Sequence, residues 1–293
     1  MTTALFQTLC DLDAIPSILE SIRLRCQSSQ WLLQAEEWVS KATLALDKLS
    51  VHYEDGSKDG EAYKEPEEFR RLRLLDKHLE LLMKTTNLQK LFRETFVDSE
   101  MLELLLSFDR PCLQVDPSAE DNDVICSASI YGHTKVVKRL LEARDESGRM
   151  RVDPSARDNE AIRNASNYGN VGVVKLLLEA RDDSGRLWVD PSSHDNYSIR
   201  MASQFGHVKV VKLLLEARDD SGRMRVDPSA RNNYAIRSAS ENGNLQVVKA
   251  LLAARDDLDR PRVDPSDNDE EAIESAYRNR HFEVFELLKE YMI

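Results

Sequence analysis

The sequence predicts an all-α solenoid of stacked helix–turn–helix repeats with an N-terminal helical region, and three observations carry that reading. A Val-Asp-Pro-Ser signature begins at Val115, Val152, Val189, Val226 and Val263, and every step is 37 residues. A fixed period of that length marks a repeated supersecondary unit. Within each copy two short helical patterns follow one another, separated by Gly132, Gly169, Gly206 or Gly243 in the first four copies. Neither helix can stand alone in water, because the first turn of a helix is costly to nucleate. The copies must therefore fold as a stack.

Composition narrows the function classes. The chain has 293 residues, 41% of them hydrophobic, with 10 Gly and 9 Pro, which fits a folded, helix-rich protein. Its net charge is −12, shared evenly between residues 1–114 and the remainder, with no basic block. Nucleic-acid binding has no electrostatic footprint here. No apolar run reaches the length of a membrane span, and the first ten residues lack the pattern of a signal peptide. Cys10, Cys26, Cys112 and Cys126 form no C-x-x-C pair. Free thiols in an intracellular, cytoplasmic setting are the expectation.

Residues 1–84 read as an N-terminal helical region. Apolar residues from Ile15 to Leu49 recur at helical spacing, with Pro16 suited to a first turn. Two helices broken near Cys26–Gln30 are expected, with Trp31 and Trp38 on one core-facing side. Glu54–Glu61 reads as a surface loop. A third helix runs from about Pro66 to Lys84, with Phe69, Leu72, Leu75, Leu79 and Leu82 on one face. Thr86-x-x-Gln89 resembles a capping box opening a short helix, and Val97–Leu106 aligns without a gap to Gly169–Leu178. Residues 86–114 are accordingly expected to be a degenerate half-repeat that caps the array.

The five copies span 115–151, 152–188, 189–225, 226–262 and 263–293. In the first four, an Asp-Asn or Asn-Asn pair such as Asp158-Asn159 is placed to cap the first helix. The second helix, as in Val173-Val-Lys-Leu-Leu-Leu178, is apolar around more than one stripe and must be gripped on two sides. Ala128, Ala165, Ala202, Ala239 and Ala276 share one phase and set a close stacking distance. Arg144, Arg181, Arg218 and Arg255 fall at helix C-termini, where a cation meets the negative end of the dipole. The polar stretch that follows, Arg-Asp-Asp-Ser-Gly-Arg in copies 2 and 3, reads as an exposed finger. The fifth copy replaces the glycine with Arg280 and carries Glu270, Glu271, Glu274, Arg278, Glu283, Glu286 and Glu290, the polar face of a C-terminal cap.

Ala161-Ile-Arg-Asn-Ala-Ser-Asn-Tyr-Gly-Asn170 and Val173-Val-Lys-Leu-Leu-Leu178 resemble the T-P-L-H-x-A-A-x-x-G-H and V-V-x-L-L-L segments of the ankyrin repeat. The resemblance covers 115–293 and implies an ankyrin-type solenoid with a finger, an inner helix and an outer helix in each unit. It departs from that family's pattern at the T-P opening. At the histidine it carries Cys126, Arg163, Arg200, Arg237 and Glu274. The finger is lengthened.

By that resemblance the finger and first helix line a concave groove that grips partners. The positions that vary between copies place Tyr131, Tyr168, Phe205, Tyr197 and Tyr234 there, with Arg157, Arg200 and Arg231 beside them. Tyr and Arg are the favoured anchors of protein interfaces. The competing reading makes the rings padding between first helices, and pairs Arg163, Arg200 and Arg237 with aspartates of adjacent fingers. The expected function is non-catalytic binding of another protein by a monomeric scaffold. The alternative is a two-part adaptor whose residues 1–84 recruit a second partner, such as a ubiquitin-ligase component. No nucleophile elbow, H-E-x-x-H or phosphate loop occurs, so no catalytic residue, cofactor or metal ligand is expected. His52 and His78 read as structural or solvated, and His133 and His207 as repeated caps.

Overall fold

In the computed structural model the described residues are 19–20, 22–24, 31–41, 44, 67–84, 88–94, 99–108, 115–145 and 147–291. The helix start at Ile15–Pro16, the break at 26–30, the loop at 54–61, the Thr86–Gln89 capping box, His52, Cys10, Cys26 and Cys112 lie outside them. The chain divides into two compact units, Met1–Asp116 and Pro117–Ile293.

In the first unit residues 31–41 are helical, followed by α1 (Glu67–Lys84), α2 (Leu88–Glu94) and α3 (Ser99–Leu106). The apolar face read along the third helix is real: Leu72, Leu75, Leu79 and Leu82 are buried. So are Trp31 and Trp38, whose rings meet Phe108 at centroid distances of 5.3 and 5.9 Å. Helix α3 packs against α1.

The second unit is built of five helix pairs. The first helices are α4 (Ala119–Ile130), α6 (Ala156–Asn167), α8 (Ser193–Gln204), α10 (Ala230–Glu241) and α12 (Asp267–Arg278). The second helices are α5 (Thr134–Glu142), α7 (Val171–Glu179), α9 (Val208–Glu216), α11 (Leu245–Leu252) and α13 (Phe282–Tyr291). Each first helix packs on the next first helix, and each second helix on the next second helix. The alanine series sits where first helices touch, and all five are wholly buried. Val173, Val174 and Leu177 in α7, and their counterparts in α9 and α11, form the layer between the two rows.

The turn between the helices of a pair needs its glycine twice over. Gly169 has φ +72°, a left-handed conformation that costs glycine little, and a Cβ there would lie 2.6 Å from His207 Nδ1 of the next copy. That close approach is used: His207 Nε2 lies 3.0 Å from the Asn167 carbonyl. Asn170 and Asn244 donate to Ser129 and Ser203 carbonyls at 2.7 and 3.0 Å. The second, third and fourth copies thus each cap the first helix of the copy before.

The Asp-Asn pairs do not cap helices. Three successive residues near the start of the first helix are left-handed in the first four copies, as in Arg157, Asp158 and Asn159 with φ of 52°, 54° and 62°. The pattern recurs at 120–122, 194–196 and 231–233. A left-handed turn costs roughly 1–2 kcal/mol per L-residue, so something must offset it. Asn122, Asn159, Asn196 and Asn233 each accept, through Oδ1, the backbone N–H of Asp153, Asp190, Asp227 or Asp264 of the following copy at 2.7–2.9 Å. That aspartate in turn accepts from the serine two residues on, which accounts for the Val-Asp-Pro-Ser signature.

The finger is a short hairpin. Its isolated antiparallel bridges join Arg144 to Met150, Arg181 to Leu187, Arg218 to Met224 and Arg255 to Pro261. Among the described residues no helix is long and apolar enough to cross a membrane. In the fifth copy the predicted polar positions Glu270, Glu274, Arg278, Glu283 and Glu286 are exposed, together with Tyr277, Phe282 and Tyr291.

Candidate functional site

The row of first helices carries two aromatic series. At the helix C-terminus, one residue before the glycine, stand Tyr131, Tyr168 and Phe205, 67%, 56% and 53% exposed. Side chains this exposed are not the padding between first helices; that packing is supplied by the buried Ala and Ser series beneath them. Tyr131 stacks on His133 of its own turn at 6.0 Å, and Phe205 meets His207 at 6.4 Å. The row stops at the fourth copy, where Asn242 takes the same position.

The second series stands near the helix start, and the structure surrounds it with guanidinium groups. Arg163 and Arg200 both lie 5.7 Å from the ring centre of Tyr197. Arg200 and Arg237 lie 5.3 and 5.7 Å from that of Tyr234. The result is an alternating ladder, Arg163–Tyr197–Arg200–Tyr234–Arg237, closed by an ion pair to Glu271. Such cation–π contacts gain strength with burial, and Arg200 is only 7% exposed. Burial pushes its pKa down from the usual arginine value.

The same arginines offset the left-handed turns. Arg163 donates from Nε to the Asp158 carbonyl at 3.1 Å and from Nη2 to the Arg157 carbonyl at 2.9 Å. Arg200 reaches the Asp195 and His194 carbonyls at 2.9 and 3.1 Å, and Arg237 those of Asn232 and Arg231 at 2.9 and 3.3 Å. Pairing with finger aspartates, the expectation for these three residues, is not what they do. In the first copy the position is Cys126, whose thiol is pushed up to about 12, mainly by burial. Arg157 from the second copy reaches the Glu120 carbonyl instead.

Arg157 and Arg231 join neighbouring copies. Arg157 pairs with Asp121 at 3.7 Å and Asp123 at 3.2 Å, and Arg231 with Asp195 at 2.7 Å. His194 lies 3.5 Å from Asp158 in the same series.

Of the seven predicted contact residues, Tyr131, Tyr168 and Phe205 come together as an exposed row. Tyr197 and Tyr234 are half-buried among arginines, and Arg157 and Arg231 are held by carboxylates. The two series meet at one point, where the Tyr234 hydroxyl donates to Gln204 Oε1 at 3.2 Å. Gln204, next to Phe205, varies between copies as strongly as the aromatics do, and that variation is the signal that marks it. Among the described residues no group of three or more His, Cys, Asp or Glu side chains is placed to hold a metal ion.

Fold and surface together define a helix–turn–helix repeat array with an aromatic row on its first helices. Residues 199–293 match the family model of ankyrin repeats, in three copies. That stretch is similar to the ankyrin-repeat family, and the copies before it repeat its geometry at the same 37-residue step. No curated protein matches the chain. Ankyrin repeats are in general modules of protein–protein interaction.

Proposed function

We propose that the array is a non-catalytic scaffold that binds another protein along the face of its first helices, with Tyr131, Tyr168 and Phe205 as the anchors. The observation that carries this is their recurrence at one position in three adjacent copies, each more than half exposed, while the packing positions beneath them stay constant. Large rings lose little conformational entropy when bound and bury much area, so they concentrate binding energy. Tyr197 and Tyr234, held rigid by their guanidinium neighbours, extend the surface toward the fingers. Arg157 and Arg231 shape its rim.

Site-specific photo-cross-linking tests the assignment. A benzoylphenylalanine at position 168 or 205 should form one discrete adduct with the partner, and the same group at Lys212 or Lys249 on the second helices should not. Equal cross-linking from both rows would contradict the placement.

A further inference from the structure

Neighbouring copies are fastened on the finger side by arginines making one repeated contact. Arg225 donates to the Leu178 carbonyl at 3.1 Å and to the Val189 carbonyl. Arg262 donates to the Leu215 carbonyl at 2.9 Å and to the Val226 carbonyl. One acceptor lies in the last turn of a second helix, and the other opens a Val-Asp-Pro-Ser signature. Asp190 and Asp227 supply the favourable charge beside the two guanidinium groups.

The arrangement of the arginine at the base of the finger differs with this contact. Where the fastening arginine is seated, Arg181 and Arg218 reach the next finger, pairing with Asp220 at 2.8 Å and Asp257 at 2.9 Å. Where Trp188 stands in its place, Arg144 folds back onto the Leu141 and Ala143 carbonyls at 2.8 and 3.1 Å. Arg255 folds back in the same way, onto the Leu252 and Ala254 carbonyls at 2.6 and 3.0 Å.

By the repeat, Leu252 is the counterpart of Leu178 and Leu215, Val263 of Val189 and Val226, and Asp264 of Asp190 and Asp227. These three residues, with Arg255, Arg262 and Tyr291, line a pocket of about 530 Å³. That volume is in the range of ligand sites. The fastening arginine and the aspartate that holds the finger-base arginine stand five residues apart, as Asp220 and Arg225 or Asp257 and Arg262.

We propose that this pocket docks a partner polypeptide bearing an arginine with an aspartate five residues before it. The arginine takes the Leu252 and Val263 carbonyls beside Asp264, and the aspartate draws Arg255 outward. A guanidinium can bridge two carbonyls with parallel N–H groups; an ammonium is a single point charge and cannot reproduce that fork. The site is distinct from the aromatic row and does not rest on it.

The probe is a backbone-cyclised hairpin peptide of residues 218–226, Arg-Asp-Asp-Ser-Gly-Arg-Met-Arg-Val, titrated into the full isotope-labelled chain. Saturable binding is expected, with amide shifts centred on 252–264. The Arg225→Lys version of the peptide should bind at least about tenfold more weakly, the scale of one lost charge-assisted hydrogen bond. The Asp220→Asn version should weaken binding to the native chain but make no difference to an Arg255→Ala chain. A chain with Tyr131, Tyr168 and Phe205 all changed to Ala should bind the peptide normally, which keeps this test separate from that of the first-helix face. Absence of saturation at millimolar peptide, indifference to Arg225→Lys, or shifts centred elsewhere would each overturn the proposal.

Discussion

Arg200 shows how much one side chain can be asked to do. It donates to two carbonyls of a left-handed turn while lying against Tyr197 and Tyr234. Lysine keeps the charge but loses the fork and the flat face. Arg200→Lys should therefore cost about 1.5–3 kcal/mol, the usual scale for hydrogen bonds to a charged group. Chemical denaturation of the two chains measures it, and an unchanged midpoint would show that the left-handed turn does not depend on the clasp. The recurrence of Arg163, Arg200 and Arg237 was plain in the sequence, but their partners were not. Asp158-Asn159 satisfies every local rule for a helix cap, and no local rule predicts three successive left-handed residues. That conformation exists because Asn159 finds a donor 31 residues away, a contact that only the stacked structure supplies.

The finger is the element whose chemistry depends on acid. Asp182 accepts the Ser184 hydroxyl at 2.6 Å and the Ser184 and Arg186 backbone N–H groups at 2.9 Å each. The serine hydroxyl first, then the Arg186 N–H, hold its carboxyl at about 2; Asp145 and Asp219 behave alike, and in Asp256 the Arg260 backbone leads. A folded pKa below the unfolded value, about 3.9 for Asp, gives stability that is present above 3.9 and lost as pH falls toward 2. The melting temperature should accordingly fall between pH 4 and pH 2. In an Asp182→Asn, Asp219→Asn chain that acid step should shrink, and an undiminished step would assign it to other carboxylates. Sequence composition was enough to read the finger as an exposed turn. Its hairpin closure was not legible, because the bonds from the Asp182 N–H to the Arg186 carbonyl and from the Arg186 N–H to the Asp182 carboxylate leave no periodic trace.

At the scale of the molecule the sequence was most informative where the period forces packing. The alanine phase and the apolar second helix reappear as buried contacts between copies and the glycine turn as a close approach between them, since a repeat can bring those residues into contact only with its neighbours. The binding face was harder to read. Variation among copies singled out seven positions, but variation alone cannot separate a ring turned to water from one sandwiched by guanidinium groups. Stacking made that division, leaving Tyr131, Tyr168 and Phe205 exposed and enclosing Tyr197 and Tyr234. Removing exposed rings should cost the fold little, whereas losing interface anchors costs about 2 kcal/mol or more each in binding. The direct measurement is partner affinity of the Tyr131→Ala, Tyr168→Ala, Phe205→Ala chain, taken with its thermal melt. Loss of binding by more than about a hundredfold at an unchanged melting temperature is the predicted result. Native affinity in a folded chain would contradict the assignment of this face as the binding site.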